Sequence, residues 1–296
     1  MNKDTTMTPH SLEANGIQLH YVTWGQFSQP ERAVLLVHGL TNNHLVWSEL
    51  GPEFAERGWY LIAPDLRGRG WSDKPAHGIG IPYHVNDLLA LCDALGLQRV
   101  HYLGHSLGAL IGYFFAAIYP HRLGRFVAID AGGRASPQIL DILRPVLERL
   151  GRVYPSLDVY LQNMREASSS IHPWNDLWER YYRCDAEVQR DGTVTTRASK
   201  AAIEEEMIVN ASINNDVLLP AIKAPTLIMR AGQGTYRPDW FILSQEEAER
   251  MQGLIKGSSV EMIPDGNHYT IILSEVFIRK VLAFLAVGEA AATRRG

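Results

Sequence analysis

Cysteine is almost absent: Cys92 and Cys184 are the only two in 296 residues. Two are too few for a disulfide framework, and no C-x-x-C or zinc-type spacing surrounds them. No apolar run approaches the ~20 residues that a membrane-crossing helix needs. Basic residues hold no majority, with 28 Lys and Arg against 32 Asp and Glu and a formal net charge of −4. The electrostatic footprint of a nucleic-acid binder is therefore missing. Internal repeats and low-complexity segments are missing too. The opening stretch from Met1 to Pro9 lacks the apolar core of a secretory signal. These absences leave a cytoplasmic, reduced protein as the expectation, without a nucleic-acid or membrane partner.

What is present is ordinary for a globular protein: 46% hydrophobic and 20% charged residues, in a chain long enough to bury a large core. Asn15-Gly16 ahead of the alternating run Ile17 to Thr23 signals a hairpin over residues 10–23. Continuous apolar runs follow at Ala33–Val37, Trp59–Ala63, Arg99–Leu103 and Arg125–Ile129. Such runs suit strands buried on both faces of a parallel sheet. Helical stretches lie between them, at His44 to Arg57, Ile81 to a stop at Gly96, and Ala109 to Tyr119. From Gly132 to about Ile222 the alternation breaks. Four helical pieces are expected there (137–150, 156–166, 175–184 and 200–210), with a turn at Asp191-Gly192 and a gathering of Tyr154, Tyr160, Trp174, Trp178, Tyr181 and Tyr182. Alternation then resumes with strands at 225–230 and 259–263. A helix from Ser244 to Gln252 carries Glu247 at the capping-box position. A closing helix spans 273–287, and the tail 290–296 is expected to fray.

The centre of this pattern is Gly104-His105-Ser106-Leu107-Gly108, a G-x-S-x-G between a strand and a helix. Glycines there allow a sharp turn that lifts the serine hydroxyl above the strand end. The Leu107 N–H opens the helix and is free to bind an anion.

Taken together, the chain resembles the α/β-hydrolase superfamily in its lid-bearing branch. The residues that carry the resemblance are His38-Gly39 after an early strand, Asp65-Leu66-Arg67-Gly68-Arg69-Gly70-Trp71-Ser72 after the next, and the elbow at Ser106. Ala224-Pro225-Thr226-Leu227-Ile228 and Gly266-Asn267-His268 complete the set. The resemblance implies an α/β fold with a mostly parallel eight-stranded sheet, helices on both faces and an inserted α-helical cap. The expected division is a core of residues 1–132 and 223–296 with a cap over 133–222. It also implies a Ser–acid–His triad in that chain order.

A serine hydroxyl needs a base within hydrogen-bond reach and a third group to orient that base. His268, in the loop after the last strand, stands where the resemblance places the base. The family's usual acid slot after the seventh strand holds Thr235 here. Two carboxylates compete instead: Asp130 at the end of the sixth strand and Asp239 later in the glycine-containing loop. Asp130 is preferred, because a strand end fixes a carboxylate better than a long loop. Asp265 is too close to the base along the chain. Leu40 and Leu107 are the expected oxyanion donors, with His38 bracing their loop. Thr41, Asn42, Asn43 and His44 are expected at the pocket mouth. Thr41, His105, Trp174, Trp178 and Tyr269 are expected to line the pocket, His105 also having a structural role inside the elbow.

The activity these residues imply is hydrolysis of a carboxylic ester, a lactone included, of a small, moderately apolar substrate. Carbon–carbon bond hydrolysis, amide hydrolysis or perhydrolysis would use the same three groups, and a weakly hydrolytic ligand receptor is the alternative of a different class. Epoxide hydrolases and haloalkane dehalogenases carry aspartate where Ser106 stands. No metal or organic cofactor is implied.

Overall fold

The structure, a computed structural model, describes residues 6–287. The expected fraying of 290–296 lies outside the described residues. β1 (Thr8–Ala14) and β2 (Ile17–Trp24) form an antiparallel hairpin. Its turn, Asn15-Gly16, has positive φ at both residues (49° and 76°), as a tight two-residue hairpin turn requires. β3 (Ala33–Val37) is buried along its whole length. The helix expected from His44 to Arg57 is instead two pieces, a 3-10 turn at His44–Trp47 and α1 (Leu50–Ala55). Pro52 explains the break. It lacks an N–H and sits in the first turn of α1, where none is needed. β4 (Tyr60–Pro64), α2 (Ile81–Ala94), β5 (Val100–His105), α3 (Leu107–Ile118) and β6 (Leu123–Ile129) follow in alternation.

The inserted region holds α4 (Ile139–Glu148), α5 (Leu157–Ser168), α6 (Asp176–Asp185), the small hairpin β7 (Ala186–Val188) and β8 (Val194–Thr196), and α7 (Lys200–Ala211). Ser156, Asn175 and Ser199 start α5, α6 and α7, each accepting an N–H from the first turn with its side-chain oxygen. β9 (Thr226–Ala231), α8 (Gln245–Leu254), β10 (Ser258–Ile263) and α9 (Glu275–Ala286) complete the chain. Ser244 caps α8 as expected, accepting from the Glu247 N–H. The capping box does not close, because the Glu247 carboxylate turns away to the Arg134 N–H at 2.8 Å and to Arg250.

Eight of the ten described strands form one sheet in the order β1-β2-β4-β3-β5-β6-β9-β10. β1, β2 and β4 pair antiparallel, and every later pair is parallel. Helices bury apolar faces on both sides. Ile81, Val85, Leu88 and Leu91 of α2 join Ile111 and Phe115 of α3 and Met251 of α8 on one side. Leu50 and Phe54 of α1 join Phe277, Val281 and Leu285 of α9 on the other. Among the described residues no helix is long and apolar enough to cross a membrane.

The inserted region is tied to the core by a buried ionic cluster. Glu206 of α7 accepts from Arg69 at 2.9 Å and from His84 at 2.6 Å through one oxygen, and from Asn210 through the other. Burial alone would raise the Glu206 carboxyl, but His84, Arg69 and Asn210 outweigh it and hold it down at about 2.

Candidate active site

The parallel strands deliver the site at their carboxyl ends, the usual position for open α/β sheets. Ser106 sits between β5 and α3 with φ 55° and ψ −119°. That conformation is disfavoured for a residue with a side chain and is held by the surrounding backbone. The Ser106 N–H donates to the Ile129 carbonyl at 2.9 Å, and the Ser106 carbonyl accepts from Ala109. The flanking glycines answer to close approach. A Cβ on Gly104 would stand 2.3 Å from the Gly108 carbonyl oxygen, and one on Gly108 would stand 2.1 Å from that of Val37.

The loop after β3 packs against this turn: a Cβ on Gly39 would stand 3.2 Å from the Ser106 Cβ. Both carbonyls at its start are tied back. His38 donates Nδ1–H to the Gly39 carbonyl at 2.8 Å and accepts the Leu66 N–H on Nε2 at 3.0 Å. Those partners fix its neutral tautomer, and burial pulls its pKa from 6.5 to about 4, against the pull of Asp65 and the Gly39 carbonyl. Arg69 donates Nε–H to the Leu40 carbonyl at 2.9 Å. Leu40 and Leu107 both border a cavity with Ser106. Leu107 begins α3, so its N–H has no partner within the helix.

His268 follows β10. The Asn267 carboxamide oxygen accepts the N–H groups of Tyr269 and Thr270, closing a turn that fixes the loop. His268 Nδ1 meets Asp130 Oδ2 at 2.8 Å. Asp130 ends β6 with φ 48°, and its other oxygen accepts the Ala231 N–H at 2.9 Å. Both partners are buried, at 5% and 1% side-chain exposure, so the pair forms away from competing solvent. Asp239 is at the surface and pairs with Arg237 at 3.4 Å. Asp265 accepts from Ser274. Thr235, in the usual acid slot, is buried, with its N–H bonded to the Trp240 carbonyl.

Ser106, His268, Leu40, Thr41, His105 and Tyr269 border one small cavity, roofed by Leu143 and Val146 of α4. On one side it adjoins a cavity of about 410 Å³ lined by Leu107, Gly132, Ile139 and Met207. On the other lies an aromatic chamber lined by Thr41, His105, Trp178 and Tyr269, together with Tyr181, Tyr182, Tyr236 and Arg149. Trp174 stacks on Tyr182 with ring centroids 5.5 Å apart and is not among the residues that line that chamber. Asn43 and His44 also turn inward. Asn43 caps the 3-10 turn, and His44 bonds Asp65 through both its N–H and its ring.

Leu143 and Val146, one face of α4, and Arg149 just after it were missed by sequence reasoning, although the i, i+3 spacing of the first two was on view. Among the described residues, His20, His44 and Asp65 group closely enough to suggest metal ligands. Both ring Nδ1 atoms are already spent on the Asp65 carboxylate, which also accepts the Trp71 N–H. Burial would raise that carboxyl, but the two histidines hold it well below the usual range. The group is a brace under the loop after β3.

The α/β-hydrolase-fold family model matches residues 32–275. The chain belongs to the α/β-hydrolase family. An N-formylmaleamate deformylase of Pseudomonas putida is 31% identical over 76% of this chain and 78% of that protein. An uncharacterised protein of Mycobacterium tuberculosis is 37% identical, over 34% of this chain. The match spans only 29% of that mycobacterial protein's length, and a soluble epoxide hydrolase of Corynebacterium is matched over 37% of its own. Among solved structures, E-2-(acetamidomethylene)succinate hydrolase superposes with a TM-score of 0.83 at 22% identity, covering 95% of this chain and all of that one. At that identity the likeness is one of fold. This α/β hydrolase has serine at its elbow, which separates its chemistry from displacement by an aspartate nucleophile.

Proposed function

We propose that this α/β hydrolase cleaves carboxylic esters, lactones included, of small and moderately apolar molecules through an acyl-enzyme on Ser106. The observation that carries the reading is the buried His268–Asp130 pair, 2.8 Å apart, facing the cavity that Ser106 enters from a strained turn. Asp130 holds the Nδ1–H side of the imidazole, which leaves Nε2 as the base. Ser106 Oγ attacks the carbonyl carbon as its proton passes to His268 Nε2. The Leu40 and Leu107 N–H groups receive the charge that develops on the carbonyl oxygen. His268 then protonates the leaving oxygen, and water repeats the sequence on the acyl group. Residues 133–222 act as a cap over the core of 1–132 and 223–296. The two unpaired cysteines are in keeping with a reducing, cytoplasmic setting.

Amide hydrolysis is the second reading, favoured by the similarity to a protein named as an N-formylmaleamate deformylase. The same three residues would serve it, with the leaving nitrogen protonated in place of oxygen. A fluorophosphonate probe tests both against a mere ligand receptor. Rapid labelling on the Ser106 peptide, absent in Ser106→Ala, is the expected result. An unlabelled wild-type protein would overturn the proposal. Matched phenyl esters and anilides then separate the two readings.

A further inference from the structure

Two buried arginines of the loop after β4, Arg67 and Arg69, are fully engaged. Arg67 grips Asp87 through two nitrogens and the Gly78 carbonyl through a third. Arg69 uses all three nitrogens at 2.9 Å, on Leu40, Arg67 and Glu206. Arg149 is different. It follows α4 with only 13% of its side chain exposed, and its Nε has no partner. Its terminal nitrogens make two contacts of 3.5 Å, to the Thr41 hydroxyl and the Met164 sulfur. The nearest carboxylate, Asp185, stands at 3.8 Å and is already bonded to the Tyr160 hydroxyl at 2.8 Å.

A guanidinium carries five N–H donors in a planar fork, and leaving them unanswered in a buried place is costly. Arg149 borders the aromatic chamber, whose lining contains no carboxylate. The two histidines of that lining do not add charge. Burial lowers both from their ordinary value, and His105 lies at about 3. Arg149 is therefore the cation of this chamber. Burial disfavours its charge, but Asp185 outweighs that and keeps it protonated. Thr41, which Arg149 touches, directly follows the candidate oxyanion donor Leu40. The fork therefore lies within roughly 10 Å of the reacting carbonyl, given the reach of one residue and one hydrogen bond.

We propose that Arg149 anchors a carboxylate on the substrate, so that the enzyme prefers acyl groups ending in an acid a short chain away from the scissile carbonyl. The two oxygens of a carboxylate match the guanidinium fork, and the largely apolar walls of the chamber strengthen such a pairing. Tyr181, Tyr182, Tyr236 and Tyr269 line the same space, and the Tyr181 hydroxyl already donates to Asn42 at 3.3 Å.

The assignment rests on the hydrolase reading for its kinetic test and is independent of it for its binding test. Monophenyl glutarate and phenyl valerate differ little in shape but by one negative charge. Wild type is expected to favour the acid ester in kcat/KM. Arg149→Gln is expected to reduce that preference about 30-fold or more, a loss of ~2 kcal/mol, mostly through KM, with phenyl valerate changed less than about threefold. Arg149→Lys should restore part of the preference. Equal losses on both esters, or an unchanged preference, would overturn the assignment. The double variant Arg149→Gln/Asp185→Asn removes both charges of the buried pair and serves if the single variant is unstable. Calorimetric titration with glutarate reads the anchor without turnover. Binding to wild type that weakens at least tenfold in the variants supports it, and absent or equal binding overturns it. Failure to cleave either ester, with glutarate binding still dependent on Arg149, would count against the hydrolase reading alone.

Discussion

His105 donates its Nε2–H to the backbone carbonyl of His268 at 2.8 Å, and the two rings lie 4.7 Å apart. The carbonyl can only accept, and burial with the neighbouring His268 lowers the His105 pKa to about 3, so the ring is a neutral donor. The residue before Ser106 thus holds the residue that would act as its base. Replacing it by phenylalanine keeps the ring and removes the bond. His105→Phe is expected to lower kcat about fivefold, in line with one hydrogen bond worth ~1 kcal/mol, while the thermal midpoint shifts by only a few degrees. Steady-state kinetics with a phenyl ester check this; an unchanged kcat would show that His268 is positioned without His105.

Asp130 and Asp239 separate cleanly by substitution. Asp130→Asn preserves shape but turns a carboxylate that accepts from both His268 and Ala231 into a neutral amide. Its kcat should fall by about 10³–10⁴. Asp239→Asn removes an exposed pairing with Arg237 and should leave kcat within about twofold. The reverse pattern would move the acid to Asp239.

Ser106→Ala is expected to lower kcat by a factor of about 10⁴ or more and leave the far-ultraviolet spectrum unchanged. Because the Ser106 backbone is strained at φ 55°, the alanine variant keeps the strain and should match wild type in stability within ~1 kcal/mol. Retained turnover would sink Ser106 as nucleophile.

Acid should destabilise the protein in two stages. His38 and His105 have folded pKa values of about 4 and about 3, below their ordinary 6.5. Between the folded and unfolded values the unfolded chain binds more protons, so stability falls as pH drops from about 6.5 and is flat above it. His38 alone accounts for a loss of about 3 kcal/mol by pH 4, at 1.36 kcal/mol per unit. Glu206, held at about 2 against an ordinary 4.5, adds a second loss as pH falls from 4.5. Urea unfolding between pH 7 and pH 3 measures both. A constant midpoint from pH 7 to pH 4.5 would show that neither histidine is buried neutral.

Glu206→Ala would strand Arg69 and His84, both with fully buried side chains, without their shared carboxylate. A loss of about 3–5 kcal/mol is expected. Calorimetry reads it, and a loss under 1 kcal/mol would show that this cluster does not tie α7 to the core.

The strands, the helices and the elbow were legible in the sequence because each is a local pattern. Val34 to Val37 is apolar at every position and is buried at every position. Gly104 and Gly108 announce a turn whose backbones meet too closely for a side chain. The single helix expected from His44 is broken because Pro52 is tolerated only in a first helical turn, and the packed loop before it starts that turn at Leu50. Aromatic residues in the inserted region look alike in sequence, and stacking on Tyr182 decides which ring is wall and which is filling.

The sequence by itself determined the order of elements and the setting of Ser106 in a strand-turn-helix, since those follow from periodicity and from glycine at fixed offsets. Tertiary structure alone decided which carboxylate meets His268. Asp130 and His268 are 138 residues apart, and they meet because β6 and β10 flank β9 in the sheet. It alone also decided that Arg149, an ordinary helix-end cation in sequence, is buried in an aromatic chamber without a full set of partners. Distances between distant segments carry both facts, and no local pattern of residues encodes them.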